Sequence, residues 1–343
     1  MNSQLTIDEG VERALRRARI AVAIPCYRTK AQVMQVIAAI GPEVSHILAV
    51  DDACPENTGK AIAEACQDSR VQVVYLKNNQ GVGGATLAGW RLAAELDVDV
   101  LVKLDSDGQM DPKRIRRLVL AICAGKADFC KGNRFFARRG LKGMPWVRLL
   151  GNAGLSLLNK LSSGYWQIMD PNNGFLAIHA RVFRQLDHER IARRYFFESD
   201  LLHHLGLLRA RVLDVPIPAI YAGEPSSLSP MRQLWPFFRG HARNTFRRLL
   251  HSYLLRGVSL ASLELLIGIP LLLFGLAFGA SAWWESQQSG VLASAGTVML
   301  AALPIMMGMQ MLMSWLNFDV QQEPRDCIWP MLIDHLEDGE QRD

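Results

Sequence analysis

Two stretches near the end of the chain restrict what it can fold into more than any other feature. Residues 257–284 contain a single ionisable side chain, Glu264, in 28 positions, and residues 286–318 contain none in 33. About 20 apolar residues suffice to cross the hydrocarbon core of a bilayer, and a helix that is apolar on all sides has no face to offer water. The pattern therefore predicts two transmembrane helices joined by a short turn at 283–290. Pro270 and Pro304 are compatible with this, because kinks are tolerated in membrane-spanning helices.

The charge distribution orients the pair. The chain has 343 residues and a formal charge of +5, from 38 basic and 33 acidic residues. Six of the arginines, 232, 239, 243, 247, 248 and 256, lie in 231–257, a segment with no acidic residue. Removing them from the 38 leaves 32 basic against 33 acidic residues, so the whole excess sits beside the apolar stretches. Positive flanks stay on the cytoplasmic side. Interleaved aromatic and leucine residues (Trp235, Phe237, Phe238, Phe246, Leu249, Leu250) give 231–256 the character of amphipathic helices lying on lipid. The localised charge argues against nucleic acid as a partner. Residues 1–19 hold four arginines and three acids without an apolar run, unlike a secretory signal, so the chain is expected to start in the cytoplasm. Six cysteines without a C-x-x-C pair read as reduced thiols.

Upstream, short apolar runs alternate with helical patterns. Strands are predicted at 20–24, 46–50, 71–76, 98–104, 127–131, 175–179 and 211–215. Helices are predicted at 31–40, 56–67, 83–95, 112–124, 146–161 and 198–208. The alternation implies an α/β domain with a mainly parallel sheet covered on both faces. Polar clusters follow the strands at 25–30, 51–57, 78–84 and 105–111, where such sheets place their ligands.

The strongest of these clusters is Asp105-Ser106-Asp107-Gly108-Gln109. Two carboxylates two residues apart at a strand end, with an amide two further on, offer hard oxygen ligands to a divalent ion. Such an ion would bridge a diphosphate and stabilise its departure. The second strand ends in Asp51-Asp52, suited to a base or ribose. The stretch 78–85 is a glycine-rich loop opening a helix, where backbone N–H groups can approach a ligand. It lacks the G-x-G-x-x-G spacing, which disfavours a nicotinamide cofactor.

Taken in order, Pro25-Cys26-Tyr27, Asp51-Asp52, Asn79-x-Gly81-x-Gly83-Gly84-Ala85, Asp105-x-Asp107-x-Gln109 and Gly132-Asn133-Arg134-Phe135 resemble the family-2 glycosyltransferases. Within them the chain is similar to the dolichol-phosphate mannosyltransferase group and its bacterial polyprenyl-phosphate relatives, over about residues 20–225. The resemblance implies a GT-A fold with a C-terminal two-helix transmembrane anchor. It implies a nucleotide-sugar site at Pro25, Tyr27, Asp52, Gly83 and Asp105, and Mg²⁺ or Mn²⁺ on Asp105, Asp107 and Gln109. It also implies a polyprenyl-phosphate acceptor bound by Arg134, Arg148 and Asn152. The turn 170–175 (Asp-Pro-Asn-Asn-Gly-Phe) resembles the family's acidic turn on the acceptor side. Departures are Arg28-Thr29-Lys30, where the family commonly has Asn-Glu-Glu, and Asn133 and Asn152, where serine is frequent.

The expected division is an extension at 1–19, a catalytic domain at 20–230, juxtamembrane helices at 231–256, spans at 257–318 and a cytoplasmic tail at 319–343. The expected function is inverting transfer of a hexose from a UDP- or GDP-linked donor to undecaprenyl phosphate for cell-surface glycan synthesis, catalysed by Asp107 and Arg134, at the bacterial inner membrane with a cytoplasmic catalytic domain. One alternative is transfer to a glycan hydroxyl with Glu198 or Asp200 as base, since a hydroxyl must lose a proton whereas a phosphate monoester is nucleophilic already. A further alternative is a non-enzymatic membrane scaffold. Membrane lipids are expected partners, and assembly of a homo-oligomer through the membrane helices stays open.

Overall fold

The computed structural model describes residues 9–135, 146–217 and 230–332, with side chains throughout except at 146–150, 152–153 and 230–234. The chain divides into two compact units, Met1–Asn244 with Pro324–Asp343, and Thr245–Glu323.

The first unit opens with α1 (Glu9–Arg17), then runs β1 (Ile20–Cys26), α2 (Val33–Ala38), β2 (Val44–Asp51), α3 (Thr58–Ala65), β3 (Val71–Tyr75), α4 (Gly81–Glu95), β4 (Val100–Lys103), α5 (Ile115–Cys123) and β5 (Phe129–Asn133). It continues through α6 (Trp146–Ser163), β6 (Leu176–His179), α7 (Ala180–Arg184), α8 (Phe197–Leu208) and β7 (Val212–Pro216). The strands form one seven-stranded sheet in the order β3-β2-β1-β4-β6-β5-β7. β1, β4, β5 and β6 are buried at every position, as expected of strands covered on both faces. The period of two divides them: Ile20, Val22 and Ile24 join one core with α2 and α5, while Ala21 and Ala23 join another with α4 and α8.

The expected elements are present, with differences at the edges. β6 runs antiparallel to both β4 and β5, whereas all other pairings are parallel. An apolar run carries no strand direction, so alternation alone does not reveal this reversal. The region taken as an extension contains α1, whose Leu15 is buried and whose Glu12 pairs with Arg116 at the edge of α5.

The tail after residue 323 packs back on the first unit. The carboxylate of Asp128, fully buried just ahead of β5, accepts the N–H groups of Arg211, Ile328 and Trp329 at 2.7–3.0 Å. Trp329 stacks on His179 with ring centroids 4.2 Å apart.

α9 (Pro230–Leu250) carries the arginine-rich segment, followed by one π turn, His251–Leu255. Trp235, Phe238 and Phe246 on it are exposed, as are Arg239, Arg243 and Arg247. Within the second unit Arg248 differs from its neighbours: it is buried and grips Asp319 with two bonds of 2.8 and 3.0 Å, and the Tyr253 hydroxyl donates to the same carboxylate at 2.6 Å. This arginine serves an internal pair and so differs from the exposed arginines of the segment.

The apolar stretches form α10 (Leu260–Ser289) and α11 (Ala295–Gln321). The turn lies further along than 283–290: α10 continues through Trp283 and Trp284 to a left-handed cap at Gly290 (φ 70°), and Ser294 caps α11 by accepting the Thr297 N–H. The Trp-Trp-Glu-Ser-Gln-Gln sequence has nothing to stop a helix before that glycine. Small residues seat the two helices closely: a Cβ at Gly308 would lie 2.7 Å from the Leu272 nitrogen, and one at Gly275 would lie 2.8 Å from the Ala301 carbonyl.

Candidate active site

Four strand ends converge on one cavity of about 480 Å³, within the usual range for small-ligand sites. β1 delivers Pro25, Cys26 and Tyr27; β2 delivers Asp52; the loop after β3 delivers Asn79 and Gly81; the loop after β4 delivers Asp105, Ser106 and Asp107. The loops are tied to one another. Ser106 Oγ donates to the Pro25 carbonyl at 2.7 Å and receives the Thr29 hydroxyl at 2.9 Å, so the β1 and β4 loops move as one.

Asp51 and Asp52 end β2 and serve different helices. Asp51 accepts the N–H groups of Cys54 and Gly59 at 2.7 and 2.6 Å, at the start of α3. Asp52 accepts those of Gln80 and Gly81 at 2.7 and 2.8 Å, at the start of α4. A carboxylate there satisfies N–H groups that the helix itself cannot. The glycine-rich loop therefore has its first amides already taken by protein, although Asp52 still lines the cavity.

Gly83 does not line the cavity; Gly81 and Val82 do. A Cβ at Gly83 would lie 2.6 Å from the buried Phe197 ring, so this glycine permits α4 and α8 to touch. Gly83→Ala is expected to lower unfolding stability by about 1–3 kcal/mol through overpacking, read as a lower denaturation midpoint in detergent.

Beneath the Asp105/Asp107 pair lies a buried row of charges. Lys103, the last residue of β4, is 1% exposed at its side chain and contacts Asp105 Oδ1 at 2.6 Å, the Gly174 carbonyl at 3.1 Å and Glu198 Oε1 at 3.4 Å. Burial alone would favour a neutral amine, but Asp105 and Glu198 together outweigh it and raise the lysine above its ordinary pKa. Gly174 is required here, because a Cβ would lie 2.5 Å from Lys103 Nζ and 2.7 Å from Asp105 Oδ2. On β5, Lys131 is also fully buried, donates to the Asn173 carbonyl, and is brought down to about 8 by burial. Arg134 forms a fork on Asp170, with Nε at 2.8 Å and Nη2 at 3.0 Å. Burial would push the Asp170 carboxyl up, but this fork holds it below its usual value.

The donor chemistry suits a divalent cation. Asp107 has its carboxyl raised, first by burial and further by the charge of Asp105, and a cation between them would relieve both. One oxygen of Asp105 is engaged by Lys103, and one of Asp107 accepts the Gln109 N–H at 3.0 Å, which leaves one oxygen of each. Among the described residues no group of three or more His, Cys, Asp or Glu side chains is placed to hold a metal ion by itself. Two hard oxygens with the remainder from phosphate and water is a common arrangement for Mg²⁺. Gln109 is exposed and does not line the cavity; what it gives Asp107 is its backbone N–H.

Glu198 and Asp200, two apart on α8, point to different surroundings. Glu198 faces Lys103. Asp200 accepts the Ala192 N–H at 2.7 Å and Asn244 Nδ2 at 2.6 Å, which fastens α9 and the segment before α8, and it does not line the cavity. Arg148 and Asn152 fall on α6, with side chains outside the described residues.

Sequence reasoning passed over Lys103 and Lys131, although each interrupts an apolar strand near its carboxyl end. It also passed over Arg194 and Tyr195, which line the cavity from the segment before α8 and have no local pattern that marks them.

The family model described as "Glycosyl transferase family 2" matches residues 21–191. An undecaprenyl-phosphate mannosyltransferase of Micrococcus luteus is 30% identical over 203 residues, 58% of this chain and 82% of that protein. A UDP-N-acetylglucosamine–dolichyl-phosphate N-acetylglucosaminyltransferase of Methanococcus voltae is 29% identical over 216 residues, 59% of this chain and 86% of that protein. Among solved structures, glucosyl-3-phosphoglycerate synthase of Mycobacterium tuberculosis, in complex with Mn²⁺, UDP-glucose and phosphoglyceric acid, superposes with a TM-score of 0.52 at 20% identity, over 72% of this chain and 85% of that one. That likeness bears on the fold alone, which is GT-A-like. The family model and the sequence relatives make the chain a member of glycosyl transferase family 2.

Proposed function

We propose that this chain transfers a hexose from a UDP- or GDP-linked donor to polyprenyl phosphate, with inversion, at the bacterial inner membrane. The observation that carries the reading is the Asp105/Asp107 pair in a cavity of a chain that also has two long apolar helices. The named sequence relatives, which act on undecaprenyl and dolichyl phosphates, support the acceptor class.

Asp105 and Asp107 are the residues that would hold Mg²⁺ or Mn²⁺, which supplies positive charge at the leaving diphosphate. Tyr27 and Pro25 border the nucleotide side. Arg134, aimed by Asp170, and Arg148 are assigned to the acceptor phosphate, where a planar fork suits a dianion. The phosphate oxygen attacks the anomeric carbon as the bond to the diphosphate breaks. No base is needed, because a phosphate monoester with a second pKa near ~6 is already ionised at neutral pH. The surroundings of α8 favour this reading over a hydroxyl acceptor: Glu198 is held by Lys103, and both oxygens of Asp200 are engaged.

The membrane part of the proposal rests on length and exposure. At about 1.5 Å per residue, helices of 30 and 27 residues exceed a hydrocarbon core of about 30 Å. Only 11% and 6% of their apolar windows are buried within the protein, unlike core helices of a soluble fold.

Purified protein incubated with labelled nucleotide sugars, Mn²⁺ and undecaprenyl phosphate should yield a sugar lipid that survives mild alkali but not mild acid, and EDTA should abolish it. Absence of labelled lipid with every donor would overturn the proposal.

A further inference from the structure

We propose that Arg194 is the cation that receives the donor's diphosphate, an assignment that rests on the donor-binding reading above. Three carboxylates line the cavity, Asp52, Asp105 and Asp107, and among the described lining residues Arg194 is the one cation. Three other basic side chains of this part of the fold are already paired. Arg193 pairs with Glu189 at 2.7 Å, Arg134 with Asp170 at 2.8 Å, and Lys103 with Asp105 at 2.6 Å. The guanidinium of Arg194 has no hydrogen-bond or ion-pair partner among the described residues.

Its position is built rather than incidental. The Arg193 carbonyl accepts the Gly84 N–H at 2.8 Å, and the Arg194 carbonyl accepts the Phe197 N–H at 2.9 Å, so the segment is pinned to α4 and α8 on either side. The Arg194 stem lies over Gly81, where a Cβ would come within 2.9 Å of its Cγ. Gly81 also has φ +82°, a conformation that favours glycine.

The charge inventory explains the need. Of the amides at the start of α4, a natural place for phosphate, those of Gln80 and Gly81 are taken by Asp52 and that of Gly84 by the Arg193 carbonyl. Lys103 is matched by Asp105 and Glu198. A divalent ion on Asp105 and Asp107 therefore leaves the diphosphate without a full complement of positive charge. The departing nucleoside diphosphate carries one more negative charge than the sugar-linked donor. A guanidinium beside it accordingly stabilises the transition state more than the ground state, with the fork geometry that phosphate oxygens accept.

The test is titration of full-length wild type, Arg194→Gln and Arg194→Lys in detergent with UDP and GDP in the presence of Mn²⁺, alongside uridine and guanosine, followed by steady-state kinetics. Arg194→Gln should weaken binding of the nucleoside diphosphate that wild type takes by about ten- to a hundredfold. It should lower kcat, and leave nucleoside binding and the KM for polyprenyl phosphate unchanged, with Arg194→Lys intermediate. Unchanged diphosphate affinity in Arg194→Gln would overturn this assignment alone. Raised acceptor KM with unchanged diphosphate affinity would overturn it in favour of the acceptor phosphate. Failure of the wild type to bind either diphosphate would remove the donor-binding reading itself.

Discussion

Asp107→Asn should reduce sugar transfer by about 10²–10³-fold, the range seen when one preorganised group that stabilises developing charge is removed. Asparagine keeps the shape and can still accept the Gln109 N–H, so the loop should hold its course. What disappears is the negative charge next to Asp105. That charge is unfavourable in the absence of a cation, since burial and Asp105 both raise the Asp107 carboxyl. The variant should therefore unfold at the same temperature as wild type, or higher, in metal-free buffer. The rise in unfolding temperature that Mn²⁺ gives wild type should be missing from it. Retained transfer together with a retained Mn²⁺ shift would show that Asp107 does not hold the metal. A fall in metal-free stability would mean that its charge supports the fold instead.

Lys103→Met should destabilise the first unit by about 3–5 kcal/mol, the usual consequence of removing one partner from a buried ion pair. The lysine is almost fully enclosed and its two carboxylate partners are 27% and 11% exposed, so solvent can compensate little. Asp105 and Glu198 would then share the floor of the site with no cation between them. Adding Glu198→Gln should recover much of the loss, because the pair is coupled through Lys103. Urea unfolding of the single and double variants measures this. Additive losses in the double variant would rule out the coupling. Glu198→Gln alone is also informative: a general base could not be replaced by an amide without severe loss of turnover, whereas a counter-ion tolerates the change with a modest loss.

Much of this architecture is visible in the residues. The apolar runs that become β1, β2 and β4 are buried on both faces, so their hydrophobicity is nearly unbroken and easy to find. The same residues make the carboxyl-end loops stand out by contrast, and Pro25, Asp52, Asp105 and Asp107 do meet in one cavity. Partners are harder to read than positions. Nothing local says that Asp52 will face the start of α4 or that Gly83 will face Phe197, because each contact joins elements separated by long stretches of chain. Asp200 is an acid near an expected catalytic position, yet its carboxylate is consumed by Ala192 and by Asn244 on a different helix. Arg194 escapes notice for the converse reason: an arginine in a basic stretch looks like any solvated surface residue until the fold places it among the residues that line the cavity with Asp52, Asp105 and Asp107. The two long apolar helices are the most legible part, since composition alone determines them, while their turn depends on Gly290 as a helix stop.

The docking of Trp329 and Ile328 on Asp128 has a consequence for biogenesis. The ribosome makes every strand of the sheet before residues 245–323, but two of the amides that Asp128 needs are made only afterwards. Until they arrive, a carboxylate destined for full burial at the foot of β5 remains short of donors. Completion of the first unit thus waits for the two apolar helices to have been made and for the chain behind them to emerge. A nascent chain that stops short of residue 328 cannot make that closure. Its open seam would mark it for proteolysis.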